Sequence, residues 1–160
     1  MVYNWAGEYA LMISQTAEYA LRAIVFLADQ GEARTTQEIA ATTLVPASYL
    51  SKVMQALSRA HVVRSQRGLH GGFTLAKSPD ELSVWDVIEA VDPIQRIRTC
   101  PLGLKAHGAM LCPLHRRLDD ALALVENAFR ESTVSDLLRE PTKSKPLCDF
   151  PHRMPQRRGA

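Results

Sequence analysis

The stretch TTQEIAATTLVPASYLSKVMQALSRA, residues 35–60, decides the fold. Thr35 followed three residues later by Glu38 has the spacing of a capping box, so a short helix is predicted to start after Thr35. Pro46 interrupts the chain but suits the entry of a second helix, because a proline nitrogen has no hydrogen to offer and the first helical turn needs none. In that second helix Leu50, Val53, Met54 and Leu57 recur at helical spacing and form the buried stripe. Ser48, Tyr49, Ser51, Lys52 and Gln55 are left on the outside. Two short helices joined by a tight turn, the second presenting polar side chains, form the helix-turn-helix pattern.

The flanking segments extend this unit. Downstream, HVVRSQRGLHGGFTLA (61–76) alternates two β-prone runs around a glycine-rich turn and predicts a hairpin. Behind a helix-turn-helix, such a hairpin is the wing of a winged helix, with Arg64, Arg67 and His70 on or near its tip. Gly68, Gly71 and Gly72 are expected to let the backbone turn and approach a ligand closely. Upstream, ISQTAEYALRAIVFLADQG (13–31) places Ala17, Leu21, Ile24 and Ala28 on one helical face, and Gly31 suits the helix end. SPDELSVWDVIEAVD (78–92) predicts a helix capped by Ser83 and burying Val84, Val87, Ile88 and Val91. Residues 94–111 lack periodicity and contain Pro101, Gly103 and Gly108, which predicts a loop. PLHRRLDDALALVENAFRES (113–132) then opens on a proline and repeats Leu114, Leu118, Leu122, Val125 and Phe129 over about 25 Å of helix. A three-helix core with a wing has no room for that stripe, so a second copy of the chain is the expected cover. STVSDLLRE (132–140) predicts a short final helix.

Charge locates the surface that matters. The chain has 160 residues and a net charge of +2, which excludes nothing by itself. Between Glu38 and Asp80 there is no acidic residue, whereas Lys52, Arg59, Arg64, Arg67 and Lys77 all fall there, marking a phosphate-facing surface. The last twenty residues hold five basic side chains, one acidic side chain and four prolines, the composition of a solvated, disordered tail. With no apolar run long enough to span a membrane and no secretory leader pattern at the N-terminus, the cytoplasm is the expected compartment. Three cysteines there are metal ligands, redox thiols or small buried hydrophobes rather than a disulfide framework.

Four segments resemble one family in order and spacing: EYALRAIVFLA in the first helix, IA…VPASYLSKVMQAL across the helix-turn-helix, VVRSQRGLHGGFTLA in the wing and LSVWDVIEAVD after it. This is the family of winged-helix bacterial transcription regulators of the IscR and NsrR type, and the resemblance runs from about Met12 to Leu138. It implies a mainly α fold with a small β-hairpin wing and a long dimerisation helix. It also implies a homodimer, probing a double-stranded DNA operator of two-fold symmetry as a repressor. The expected organisation is an extension over 1–11, a winged helix-turn-helix domain over 12–79, a sensor loop with dimerisation helices over 80–140, and the tail over 141–160. Ser48, Ser51 and Lys52 are the candidate phosphate contacts, with Arg64 and Gly68 on the wing beside them. Tyr49 and Gln55 are candidates for base edges or thymine methyls, with half-buried packing the other reading of either, and Arg67 matches the family's wing arginine.

The stretch CPLGLKAHGAMLCPLH (100–115) carries the remaining chemistry. Cluster-binding members of the family place three cysteines with five residues between successive ones, and some add a histidine three beyond the last. On this chain the resemblance assigns those positions to Cys100, Ala106, Cys112 and His115, so one thiolate is missing. Certain relatives take a carboxylate from the partner's first helix, at the position that is Glu18 here. A [2Fe-2S] cluster with Cys100, Cys112, His115 and Glu18 of the partner subunit is therefore implied, with His107 in reserve and Cys148 a weaker substitute. Two other readings stay open. One is a metal-free thiol switch, with Cys112 at a helix start, where negative charge is favoured. The other makes the cysteines structural. Zinc fits less well, since no C-x-x-C pair is present.

Other functions are less consistent with the residues. An enzyme using Cys112 as nucleophile and His115 as base has no orienting third group and no oxyanion site to name. A winged helix serving only protein contacts does not account for the acid-free interval from 39 to 79.

Overall fold

A computed structural model describes residues 13–68, 71–101, 103 and 110–140. The extension over 1–11, His70, Ala106, His107, Cys148 and the tail over 141–160 lie outside the described residues.

The elements follow in the order α1 (Gln15–Gln30), α2 (Thr36–Thr43), α3 (Ala47–Arg59), β1 (Val63–Gln66), β2 (Gly72–Leu75), α4 (Val84–Val91), α5 (Pro113–Glu131) and α6 (Val134–Arg139). The expected mainly α fold with a β-hairpin wing is what forms. Local chemistry sets most boundaries. The Ser14 hydroxyl accepts from the Ala17 amide at the start of α1, and Gly31, at a φ of 67°, closes its end by donating to the Leu27 carbonyl. Thr35 and Glu38 form the anticipated capping box on α2, Ser83 and Asp86 form another on α4, and Thr133 and Asp136 a third on α6. The α2–α3 turn passes through Leu44 in the left-handed region at a φ of 56°, and Pro46 is the N-cap residue of α3.

The core is built around α1. Its Ala20, Ala23, Ile24, Phe26 and Leu27 pack against Ile39 of α2, the Leu50, Val53, Met54 and Leu57 stripe of α3, Val87 of α4 and Val134 of α6. The four α3 residues are buried as the spacing predicted. A second, smaller cluster joins Ala17, Val84 and Ile88, with Phe129 of α5 and Ile94 packed on its edge. The wing is antiparallel, pairing Val63 with Leu75, Arg64 with Thr74, Ser65 with Phe73 and Gln66 with Gly72. A third backbone segment docks on it: Arg34, between α1 and α2, exchanges hydrogen bonds with Phe73 at 3.1 and 2.8 Å. That contact explains Gly72. A Cβ there would lie 2.5 Å from the Arg34 carbonyl oxygen, so the close approach Gly72 permits is to the chain's own backbone rather than to a ligand.

α5 differs from every other helix of comparable length. None of its nineteen residues is buried. Leu122, Val125 and Phe129 are half-buried, whereas Leu114, Leu118 and Leu124 face solvent, at 64%, 48% and 72% exposure.

Candidate DNA interface and sensor loop

The polar face of α3 is presented as its periodicity predicts: Ser48, Tyr49, Ser51, Lys52 and Gln55 are all exposed. The structure adds what each side chain is already doing. The Ser51 hydroxyl donates to the Ala47 carbonyl at 3.0 Å, so toward a phosphate its oxygen has lone pairs to offer and no free hydrogen. Tyr49 is tied to α1: its hydroxyl hydrogen-bonds with the Thr16 hydroxyl, and its ring meets Tyr19 edge to face with centroids 5.6 Å apart. At 38% exposure it borders the polar face of α3 but is fixed by α1. Lys52, Arg59, Arg64, Arg67 and Lys77 take part in no hydrogen bond or ion pair among the described residues, and all five are exposed.

Two residues that the sequence reading did not select join this surface. Thr36 and Gln37 of α2 line a cleft of about 440 Å³ with Thr35, Ala47, Ser48 and Ser51. The first turns of α2 and α3 therefore open on one concavity, and the unpaired amides of a helix's first turn suit phosphate oxygens. The three-residue spacing from the Thr35 cap could have pointed to them, but only the packing of α2 on α3 shows that the two turns share a face.

On the wing, Arg64 and Arg67 project from β1 and its turn. Gly68 adopts a φ of 110°, and its carbonyl accepts from the Gly71 amide at 2.9 Å. A Cβ on Gly71 would lie 2.7 Å from the Gln66 carbonyl oxygen, so the turn closes tightly beside Arg67.

The candidate sensor loop is partly assembled. Cys112 is the N-cap residue of α5, and its side chain caps no amide of the helix. Its Sγ lies 3.3 Å from Nδ1 of His115, one turn on. Cys100 is a half-buried free thiol at the other end of the loop. Glu18 is half-buried on α1, where it accepts from Nε of Arg22 at 2.5 Å. As donors, two thiols and an imidazole suit iron or an iron-sulfur cluster, and the Cys112–His115 pair is already side by side. Among the described residues no group of three such side chains gathers at one point, so a single protomer brings neither Cys100 nor Glu18 to that pair.

What the sequence reading missed is how the loop is moored. Arg96 donates from Nε and Nη2 to the two oxygens of Asp119 of α5, each at 2.7 Å, and from Nη1 to Glu126 at 3.3 Å. The Ile97 amide adds a bond to Asp119 at 2.9 Å. Arg96 holds the Asp119 carboxyl below the usual carboxylate range; Arg130, and then Arg96, do the same for Glu126. No signal at the level of sequence pairs residues 23 positions apart across an aperiodic loop.

Residues 13–140 match the model of the family described as iron-dependent transcriptional regulators, Rrf2. A chain of Aquifex aeolicus assigned as a helix-turn-helix-type transcriptional regulator is 32% identical over 132 residues, covering 80% of this chain and 92% of its own. Among solved structures, the global cysteine regulator CymR of B. subtilis superposes with a TM-score of 0.61 at 28% identity, over 79% of this chain and 95% of that one. IscR of T. potens superposes with a TM-score of 0.67 at 21% identity, over 83% and 90% respectively, and shares the fold.

Proposed function

The chain belongs to the Rrf2 family of DNA-binding transcription regulators, and from that premise we propose that it acts as a homodimeric repressor whose operator affinity is set at the Cys100–His115 loop. The observation that carries the DNA half is the basic set Lys52, Arg64 and Arg67, unpaired among the described residues, beside the exposed polar face of α3. In this reading α3 enters a major groove, where Gln55 reaches base edges. Ser48, Lys52 and the α2–α3 cleft hold phosphates and set register, and Ser51 joins them only where its hydroxyl turns from the Ala47 carbonyl. Arg67, at the tight turn by Gly68, extends the contact into the neighbouring groove. Two copies related by a two-fold axis would place their α3 helices about 34 Å apart, one helical turn of DNA. The exposed leucines of α5 supply the pairing surface. Leu118→Glu is expected to halve the mass measured by light scattering and abolish operator binding; a monomeric wild type of full affinity would refute the dimer.

The loop half rests on Cys112 beside His115 at the start of α5. A [2Fe-2S] cluster would be held by Cys100, Cys112, His115 and Glu18 of the partner subunit, and it would supply a redox- and nitric-oxide-sensitive centre joining the two protomers. Arg22 engages one oxygen of the Glu18 carboxylate, so ligation would fall to the other oxygen or would compete with Arg22. The chain's own contribution is positional: Pro113 starts α5 directly after Cys112, so any change at the thiol is felt at a helix end. The test is iron and sulfide analysis of anaerobically purified protein, followed by operator titration of that protein and its chelator-stripped form. Different affinities are expected, and equal affinities would refute control by a cluster. The alanine at position 106 favours, as a second reading, a metal-free switch in which a peroxide takes two electrons and two protons from Cys100 and Cys112, leaving a disulfide and water or alcohol. Iron-free protein whose operator affinity still changes on thiol oxidation would establish it.

A further inference from the structure

The arm of chain that delivers Cys100 is fixed to the rest of the protein in an unusual way. Ile94 packs on the edge of the second core cluster. Beyond it, among the described residues, every hydrogen bond joining residues 95–101 to a helix runs through the Arg96 side chain or through the Asp119 that it grips. The grip is two-pronged and planar, the geometry in which arginine is not replaceable by lysine. From there the contacts continue without a gap. Glu126 accepts Arg96 on one oxygen and Arg130 on the other, the latter at 3.0 Å. The Arg130 guanidinium lies over the Trp85 ring, 4.9 Å from its centroid. Trp85, 4% exposed, belongs to α4, and α4 packs against both α1 and α3.

Two features suit this series to communication rather than to holding the fold. Partly exposed pairs add little stability, so the fold does not depend on it. It also supplies the only hydrogen bonds among the described residues between the Cys100 arm and α5, and it reaches α4 by the Arg130–Trp85 ring contact, alongside the Val84 amide's bond to Ser132 at the end of α5. The same arm, α4 and α5 enclose a cleft of about 610 Å³ in which Arg96, Glu126, Arg130 and Trp85 all take part, which leaves room for the arm to shift.

We propose that Arg96 is a positioning residue that couples the sensor loop to the recognition helix, through the series Asp119 and Glu126, Arg130, Trp85, α4 and α3. The inference rests on the proposed control of operator binding by the loop. A change at Cys100 pulls on the arm; because Arg96 binds α5 at two carboxylates, the pull is delivered to Glu126, and through Arg130 to Trp85, instead of being absorbed by a slack loop. Arg96 touches neither DNA nor the candidate ligands in this arrangement, so its removal should sever communication while leaving both ends intact.

The experiment uses the full-length protein in four forms: wild type, Arg96→Gln, Asp119→Asn and the exchanged pair Arg96→Asp with Asp119→Arg. Each is measured as purified anaerobically and after chelator stripping. Operator affinity and iron content are read, together with Trp85 emission in a Trp5→Phe background that leaves Trp85 as the single tryptophan. Wild type is expected to change operator affinity by about tenfold or more on stripping. R96Q and D119N should reduce that change to about twofold or less, with iron content and stripped-form affinity at wild-type values. Trp85 emission should respond to stripping in wild type and stay constant in R96Q, and the exchanged pair should recover part of both responses. A full wild-type ratio in R96Q overturns the role of Arg96 alone, as does loss of iron from R96Q, which would make it a retention residue. A wild-type ratio of one overturns control by the loop as well. Should R96Q not fold, D119N, which breaks the same contact from the other side, decides the matter.

Discussion

Cys112 Sγ and His115 Nδ1 lie 3.3 Å apart across the first turn of α5. The spacing puts a thiol and an imidazole on one face of a helix start, without a third donor from the same protomer among the described residues. If a ligand binds this pair, its remaining donors must come from elsewhere than the first turn of α5.

It follows that the two residues should not be equivalent on substitution. Cys112→Ser is expected to remove bound iron almost entirely. His115→Cys should retain it while lowering the reduction potential, because imidazole in place of thiolate raises the potential of an iron-sulfur centre. Unchanged iron content in C112S, measured by metal analysis under anaerobic purification, would rule out this ligand set.

DNA contacts separate in the same manner. Arg67→Ala is expected to weaken operator binding by about 1–3 kcal/mol, the range of a good base contact, and to relax sequence preference at the wing. Lys52→Ala should weaken operator and random duplex alike and reduce the salt slope by about 1. A titration over several salt concentrations distinguishes the two.

Tyr49 makes the opposite prediction. Because its hydroxyl is engaged by Thr16 and its ring by Tyr19, Tyr49→Phe should cost about 0.5–1.5 kcal/mol of folding stability by denaturant titration. Its preference among operator sequences should not change. A shift in preference without a loss of stability would return Tyr49 to the base-reading set.

Acid should release the sensor arm at low pH and not near neutrality. Asp119 is held below the ordinary carboxylate range chiefly by its hydrogen bond from Arg96, and Glu126 chiefly by that from Arg130. A carboxylate depressed by folding stabilises the folded state above its unfolded pKa, and that contribution disappears as pH falls through the folded one. The arm should thus remain moored from neutrality through the ordinary carboxylate range and come free only below it, as Asp119 and Glu126 take up protons. Trp85 emission in the Trp5→Phe background reports it; release between pH 8 and 6 would show that other groups hold the arm.

The sequence carried the helix-turn-helix, the wing and the loose stripe of α5 because each is written in local terms: capping residues three apart, apolar positions three or four apart, glycines at a turn. Val53 and Met54 must be buried if the helix forms at all. What was illegible depends on which distant segments meet. The spacing of α3 left Tyr49 open between base contact and packing, and did not say that its partners would be Thr16 and Tyr19 of α1. Nothing in the spacing of Gly72 revealed that Arg34 would fill the space beside it. The Arg96–Asp119 contact joins an aperiodic loop to a helix whose periodicity advertises only its leucines. The α2–α3 cleft likewise emerges from packing, which is why Thr36 and Gln37 were not selected with Ser48 and Ser51.

The absence of a single buried residue along α5 has a consequence for how such a regulator would behave in a cell. If two copies cover each other's leucines, the order of that helix is subject to mass action and becomes a function of how many copies are present. Abundance is then an input in its own right: at low copy number the helix carrying Cys112 and His115 loses its cover. Any signal read there would be registered only once enough protein has accumulated to answer it.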